Sequence, residues 1–209
     1  MKVIFYIIVL IYFMLLGSDS IILAQKLDKN LYSKLQSKLI KINSISFNFL
    51  SKEDPKYQGL VRAKRGNKYD VQTPIRRLIC NGTTIWNYNE IEKKVVLSSY
   101  EEETGNSISI ENLFFNIVQE FKPAETQFLN LNGKECYRLK LTPKNNQNSE
   151  YKSIVLYILK EDLSVFTVQI DSNDITQTWE ISNLQINPKL PDKIFEFNVP
   201  EGTLIIDLR

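Results

Sequence analysis

The chain has 209 residues, a formal net charge of +2, two cysteines and no histidine. This length is enough for one domain with a proper core, and the small net charge argues neither for nucleic acid nor for anionic lipid as a partner. Without histidine the chain cannot form a Ser-His-Asp triad, a Cys-His pair or the common zinc sites that contain histidine.

The chain begins with a pattern typical of export. Lys2 precedes an apolar run without charge over residues 3–16, and Ala24 ends the next apolar stretch. A basic residue, an apolar segment and a small residue predict a signal peptide, residues 1–24, cleaved after Ala24. Residues 25–209 are then expected to form one exported domain. The alternative is a retained membrane anchor, because the apolar run is nearly long enough to span a bilayer.

The first helix and the first strand follow directly on this segment. Apolar residues recur every three or four positions between residues 27 and 42, with Lys, Ser and Gln between them. This spacing predicts an amphipathic helix over about residues 26–42. The period then changes to two, since Ile45, Phe47 and Phe49 alternate with polar residues. Such alternation predicts a strand with one apolar face.

Residues 59–88 read as short strands separated by turn residues. Gly66-Asn67 and Thr73-Pro74 mark two reversals. Asn81-Gly82 predicts a type I′ hairpin turn, in which both central residues need a positive φ. We therefore expect an antiparallel meander here, followed by another strand at residues 93–97.

A second helix is predicted in the middle of the chain. A polar loop over residues 101–106 precedes a wide apolar stripe between Ile110 and Phe121. The stripe predicts a helix that ends before Pro123. It is apolar enough to need a partner surface.

The remainder of the chain is predicted to be mostly β. Asn132-Gly133 and Asn173-Asp174 are good hairpin turns, and residues 192–194 can hold one helical turn. The strands are expected at residues 126–131, 135–142, 151–159, 164–171, 175–184, 195–199 and 203–208. The predicted fold is therefore α+β but mostly β, with one curled antiparallel sheet of about eleven strands and two or three helices.

Catalysis has little support in the sequence. Acidic residues are scattered, or they cluster as residues 101–103, which is typical of a solvated loop. No glycine-rich phosphate loop is present. We therefore expect a protein that is not an enzyme and that needs neither a cofactor nor a metal.

The two cysteines, Cys80 and Cys136, both lie in strand-like runs. A disulfide between them would require neighbouring strands, with Cα atoms within about 7 Å. We expect free thiols, and a disulfide stays open as the alternative.

Several residues between positions 59 and 88 occur in an order that resembles a known family, the periplasmic outer-membrane lipoprotein carriers (LolA-like). The residues that match its pattern are Gly59, Lys64, Arg65, Asn67, Tyr69, Pro74, Gly82, Trp86 and Tyr88. Gly66 stands where the family usually has Pro, and Val71 stands where it has Trp. The segment between Phe195 and Asp207 also resembles the closing F-x-F-x-P-P-x-G-x-x-V-x-D of the family.

The resemblance implies an incomplete β-barrel covered by a helical lid, with a cavity for the acyl chains of lipoproteins. It implies a periplasmic chaperone, expected to be monomeric, that carries lipoproteins from the inner to the outer membrane. The implied partners are an inner-membrane ABC-type lipoprotein-releasing complex and, if present, an outer-membrane acceptor. The cavity residues expected on this basis are Phe47, Phe49, Leu60, Tyr69, Val71, Ile79, Trp86, Tyr88, Leu113, Phe114, Ile117 and Val118.

The resemblance also implies a role for Arg65, which matches a family arginine that hydrogen-bonds backbone carbonyls of the lid and holds the empty carrier shut. The alternative is an ordinary surface arginine beside Arg62, Lys64 and Lys68. Gly66 is expected to loosen the turn after Arg65.

Two alternatives for the function stay open. On pattern alone, the helices are simply the core of an α+β domain, because apolar stripes are usually core. The resemblance also includes envelope-stress regulators that sense lipids or lipoproteins, and a glycolipid shuttle could use the same half-barrel.

Overall fold

The computed structural model of the protein describes residues 29–100, 110–145, 151–172 and 175–209. The predicted signal peptide, the polar loop at residues 101–106 and the turn at Asn173-Asp174 lie outside the described residues. Within the described ranges, none of the helices has the length and apolar character of a membrane span.

The first half of the described chain contains one helix and a meander of six strands. These elements are α1 (Lys29–Leu39), β1 (Ser44–Ser51), β2 (Gln58–Lys64), β3 (Lys68–Gln72), β4 (Arg76–Asn81), β5 (Thr84–Asn89) and β6 (Lys94–Ser99).

The second half contains two short helices, five long strands, a 3₁₀ turn and a final short strand. They are α2 (Ile110–Phe115), α3 (Ile117–Glu120), β7 (Phe121–Leu131), β8 (Lys134–Pro143), β9 (Tyr151–Leu159), β10 (Val165–Ser172), β11 (Thr176–Ile186), the 3₁₀ turn (Asp192–Phe195) and β12 (Leu204–Asp207).

All twelve strands form one curled sheet in the order β12-β6-β5-β4-β3-β2-β1-β11-β10-β9-β8-β7. Every neighbouring pair is antiparallel except β12 and β6, which are parallel. The pairing of β1 with β11 joins the meander β1–β6 to the second meander, β7–β11. The predicted fold class is therefore confirmed, with one parallel pair at the edge of the sheet.

The helices cover one face of the sheet, which we call the inner face. Two apolar clusters lie there. The first joins Leu35 of α1, α3 and the strands β8 and β9, and the second joins Phe115 of α2 and the strands β1 to β4. Leu39 packs against both clusters. The helices therefore bridge two half-cores instead of covering a single one.

Both predicted helices exist, but their ends differ from the prediction. α1 stops at Leu39 instead of residue 42. The second helix breaks at Asn116, and Phe121 already belongs to β7. Pro123 lies inside β7, where the register shifts before Glu125. Proline is tolerated because β7 is an edge strand, in which one backbone N–H can be spared.

The two Asn-Gly turns behave differently. Asn132 and Gly133 have φ values of 52° and 80°, so the predicted hairpin turn is confirmed there, with the two positive φ values that a type I′ turn needs. At the other pair, Gly82 has a positive φ but Asn81 does not. The Asn81 side-chain oxygen instead accepts bonds from the backbone N–H groups of Thr83 and Thr84, at 3.0 and 2.9 Å. The side chain thus builds an Asx turn, and the type I′ prediction was wrong.

The closing segment also differs from its prediction. Residues 196–200 form no strand, and only β12 pairs with the sheet. Phe195 is fully buried and the 3₁₀ turn packs against β3 and β4. Asp192 pairs with Lys64 and Lys68 at 2.7 and 2.9 Å. The segment therefore covers the outer face, the side opposite the helices, through its side chains.

Candidate functional site

An apolar cavity of about 330 Å³ lies between the helices and the inner face. Lys38 and Ser164 are the lining residues with a charged or hydroxyl side chain. The others are Leu35, Leu39, Ile42, Ile45, Phe47, Phe49, Val61, Val71, Leu113, Phe114, Ile117, Leu156, Leu163, Val165, Val168, Ile170, Trp179, Ile181, Leu184 and Ile186. Such a wall offers non-directional burial of apolar groups and few hydrogen bonds.

The pleat of β1 supplies the floor of the cavity. Alternate residues of a strand point to the same face, which places Ile45, Phe47 and Phe49 together in the cavity. Gly59 lies opposite Phe49, and a Cβ at this glycine would come within 1.9 Å of the Gln72 carbonyl oxygen. Glycine is therefore required here for β2 to pass close to β3.

The break in the second helix divides its side chains between the two clusters. Asn116, with φ −122° and ψ 13°, leaves the helical conformation. Phe115 joins the second cluster, whereas Ile117 and Val118 join the first. Phe114 meets Phe47 edge to face, with ring centroids 5.4 Å apart. This short helical pair thus forms one wall of the cavity and contacts both sides of it.

Arg65, in the turn between β2 and β3, fastens both helical elements. Its Nε donates to the carbonyl oxygen of Ile42 at 2.8 Å, just beyond α1. Nη1 donates to Oδ1 of Asn116 at 3.1 Å, and Nη2 donates to the Phe115 carbonyl oxygen at 3.4 Å. The guanidinium also lies over the Phe115 ring, 5.1 Å from its centroid. We call this set of contacts the latch.

Glu111 of α2 completes the latch. Its Oε1 lies 3.9 Å from Nη1 of Arg65, and its Oε2 accepts a bond from the backbone N–H of Asn67 at 3.1 Å. Gly66 and Asn67 have φ values of 90° and 59°. Proline, with φ fixed near −65°, could not occupy position 66 in this turn. Glycine therefore permits a turn in which the backbone N–H of Asn67 reaches Glu111 of α2.

The predicted cavity residues separate into three groups. Phe47, Phe49, Val71, Leu113, Phe114 and Ile117 line the cavity. Tyr69 and Val118 are buried in the clusters that flank it. The remaining four, Leu60, Ile79, Trp86 and Tyr88, point to the outer face.

The outer-face positions follow from the strand register. Leu60 neighbours Val61, which lines the cavity, and adjacent residues of a strand face opposite ways. Ile79 pairs with Trp86 and alternates with the inward Cys80. Tyr88 packs on Phe197 of the closing segment, with centroids 5.2 Å apart. These four residues therefore cannot line this cavity, and the prediction for them was wrong.

The prediction missed the wall that β9, β10 and β11 contribute. Val168 and Ile170 alternate along β10, and Trp179 and Ile181 alternate along β11. This alternation was available in the sequence. After Ile181, the next residue of β11 that faces the cavity is Leu184 and not residue 183. The alternation is interrupted because the pairing of β11 with β1 shifts by one residue around Asn183, which has φ 52°.

A polar network holds the outer face together. Asp70 is fully buried and accepts bonds from Arg62, from Gln72 at 3.1 Å and from Arg77 at 2.9 and 3.2 Å. The two arginines thus pair with its charge, and Asp70 has a structural role in the sheet. In the ranges that the structure covers, no three His, Cys, Asp or Glu residues come together as metal ligands.

The similarity of this chain to known proteins agrees with this geometry. The family model of "Outer membrane lipoprotein carrier protein LolA" matches residues 41–198. Two proteins called outer-membrane lipoprotein carrier protein are similar, one from Legionella pneumophila (22% identity over 82% of this chain and 87% of that protein) and one from Pasteurella multocida (27% identity over 85% and 87%).

An uncharacterised protein of Methanocaldococcus jannaschii is 22% identical over 68% of this chain, but the match spans only 41% of that protein's length. Among solved structures, a conserved protein of Thermus thermophilus has a TM-score of 0.52 at 10% identity, over 84% of this chain and 99% of the other. This last likeness concerns the fold alone.

Proposed function

The chain belongs to the outer membrane lipoprotein carrier protein LolA family, and on this premise we propose that it is an exported, periplasmic carrier of lipoproteins. It receives a lipoprotein from an inner-membrane ABC-type complex, holds the acyl chains in the cavity between helices and sheet, and passes them to the outer membrane. The observation that carries this proposal is the apolar cavity whose helical wall is fastened by Arg65.

The cost of exposing acyl chains explains why a carrier needs such a cavity. Each CH₂ group contributes about 0.8 kcal/mol on leaving water, so several long chains amount to tens of kcal/mol. A cavity lined by aliphatic and aromatic side chains offsets much of this cost without covalent chemistry.

The present size of the cavity indicates a closed form. A volume of about 330 Å³ is near the lower end of the range for small-ligand pockets. Several acyl chains need more room, so loading must move α2 and α3 away from the sheet. The latch opposes that movement, which lowers the net affinity and permits release.

The proposal is tested by filling the cavity. Ile181→Trp places a bulky ring in the cavity, whereas Ser182→Trp places the same ring on the exposed, outer side of the same strand. Binding of a triacylated lipopeptide and of the fluorescent apolar probe N-phenyl-1-naphthylamine is measured by titration. We expect Ile181→Trp to weaken both at least tenfold and Ser182→Trp to leave both unchanged.

Two results would contradict the proposal: no binding of either ligand by the unaltered protein, or equal effects of the two tryptophans. Preferential binding of a free glycolipid over the lipopeptide would favour a lipid shuttle on the same fold.

A further inference from the structure

A second, open groove of about 510 Å³ lies along α1, on the side that faces the end of β11. Three of its lining residues, Lys38, Ile42 and Ile186, also line the apolar cavity. The groove therefore adjoins the cavity along these three residues.

Three lysines give the groove its charge. Lys34, Lys38 and Lys41 are spaced i, i+4 and i+7, so their side chains share one face of α1 and its final turn. Like charges at this spacing destabilise a helix. The sequence supplies no carboxylate nearby, because no acidic residue occurs between Asp28 and Glu53.

Within the described residues, the structure gives Lys34 and Lys41 no ion pair, and the carboxylate nearest to Lys38 is that of Asp162, whose pKa is lowered mainly by hydrogen bonds with Ser164 and in small part by Lys38. None of the ion pairs formed within the described ranges includes any of the three lysines. Lys38 Nζ donates to the backbone oxygen of Asp162 at 2.6 Å, while the Asp162 carboxylate accepts from the Ser164 hydroxyl at 2.6 Å. Lys34 and Lys41 stay exposed at the rim.

The helix dipole accounts for only part of this arrangement. Cations near a helix C-terminus are stabilising, but the effect falls off within the last turn. Lys38 lies in the last turn of α1 and Lys41 lies just beyond it, whereas Lys34 lies in the middle of the helix. The dipole therefore does not account for Lys34.

We propose that this groove binds the phosphate of a lipid headgroup while the acyl chain of the same molecule occupies the cavity. The inference rests on the proposed function and adds an anionic acyl lipid to its cargo. Lysine ammonium groups bind phosphate as point charges. Lys38 suits the boundary, because a lysine stem can line apolar space while its charged end stays outside. An acidic peptide would use the lysines but would leave the adjoining cavity unused.

The test compares two lipids that share an acyl chain and differ in the phosphate, 1-oleoyl-lysophosphatidic acid and 1-oleoylglycerol. Titration calorimetry below their micelle concentrations gives both affinities. We expect the phosphate lipid to bind about tenfold more tightly at low salt, since exposed charge pairs are individually weak. About 0.5 M salt should remove the difference, because the Debye length is then only a few Å.

The variant Lys34→Gln/Lys41→Gln should bind both lipids with the affinity of the neutral one, and Lys38 keeps its bond to Asp162. The matched control, Lys122→Gln/Lys193→Gln, removes the same charge from exposed positions on β7 and the 3₁₀ turn. It should keep the preference for phosphate. Inorganic phosphate and a hexaglutamate peptide should not displace the bound lipid at tenfold excess.

Equal affinity of the unaltered protein for the two lipids would overturn the inference while leaving the carrier function intact. So would an equal loss in the control variant, or displacement by phosphate or by the peptide. If neither lipid binds, the inference fails, and the lipopeptide titration described above decides the carrier function separately.

Discussion

At the scale of single residues, the latch depends on the shape of the arginine side chain. Arg65 reaches acceptors beyond α1, at the end of α2 and at the break before α3. A guanidinium presents its donors in a rigid planar fork, which a lysine cannot reproduce. One residue can therefore hold two helical elements against the sheet.

Replacing Arg65 by Leu should tighten the binding of apolar ligands. A hydrogen bond to a charged donor contributes about 1.5–3 kcal/mol. Losing this restraint on the closed form should increase retention of a triacylated lipopeptide roughly ten- to a hundredfold, at about 1.4 kcal/mol per tenfold. Transfer of the lipopeptide to acceptor vesicles should slow, since the proposed function couples release to closing. Titration and stopped-flow transfer measure the two effects.

Arg76→Leu is the matched control, because Arg76 is exposed on β4 and lies outside the latch. Arg65→Lys should give an intermediate result, since charge remains but the fork is lost. An Arg65→Leu protein that is folded and binds no more tightly than the Arg76→Leu protein would make Arg65 an ordinary surface arginine.

The thiols should be inert in the folded protein. Cys80 and Cys136 are free and fully buried, and six strands lie between β4 and β8 in the sheet. Burial raises the pKa of both thiols, so little reactive thiolate is present near neutral pH. Alkylation by iodoacetamide should be slow in the native protein. In denaturant, without a reductant, both cysteines should react; labelling only after reduction would reveal a disulfide instead.

At the scale of elements, the helices show what a sequence pattern can and cannot predict. The apolar period predicted both helices, because amphipathic spacing is a local property. It could not predict the break at Asn116, which places Phe115 on one cluster and Ile117 on the other. It also assigned Phe121 to the helix, since a long apolar run does not mark where a helix gives way to an edge strand.

Truncating a side chain of the helical wall should weaken ligand binding, whereas removing the latch should tighten it. Phe114→Ser removes a ring that lines the cavity and meets Phe47. Full burial of such a side chain contributes about 1.5–3 kcal/mol, so lipopeptide affinity should fall roughly ten- to a hundredfold. The same titration measures it.

Ile40→Ser is the control for this change, because Ile40 is a large apolar residue that is 64% exposed just beyond α1. It should bind like the unaltered protein. If Phe114→Ser binds as tightly as this control, the ring belongs to a fixed core and not to the surface that meets the ligand.

At the scale of the whole molecule, the alternation of apolar and polar residues predicted the strands, but it did not predict which face of the sheet lines the cavity. Leu60, Ile79, Trp86 and Tyr88 fit a half-buried strand as well as Phe47 does. They lie on the outer face, where the 3₁₀ turn and Phe197 cover part of the sheet. Because both faces have apolar cover, only the three-dimensional path of the helices distinguishes the cavity side.

Photo-crosslinking in the cell envelope tests the central claim most directly. The variants Ile181→p-benzoylphenylalanine and Ser182→p-benzoylphenylalanine place the same reactive group inside the cavity and outside it, on adjacent residues of β11. The proposed function predicts adducts with the lipidated N-termini of lipoproteins at position 181, detected by mass spectrometry, and none at position 182. Equal adducts at both positions, or none at position 181 in a folded, exported protein, would contradict it.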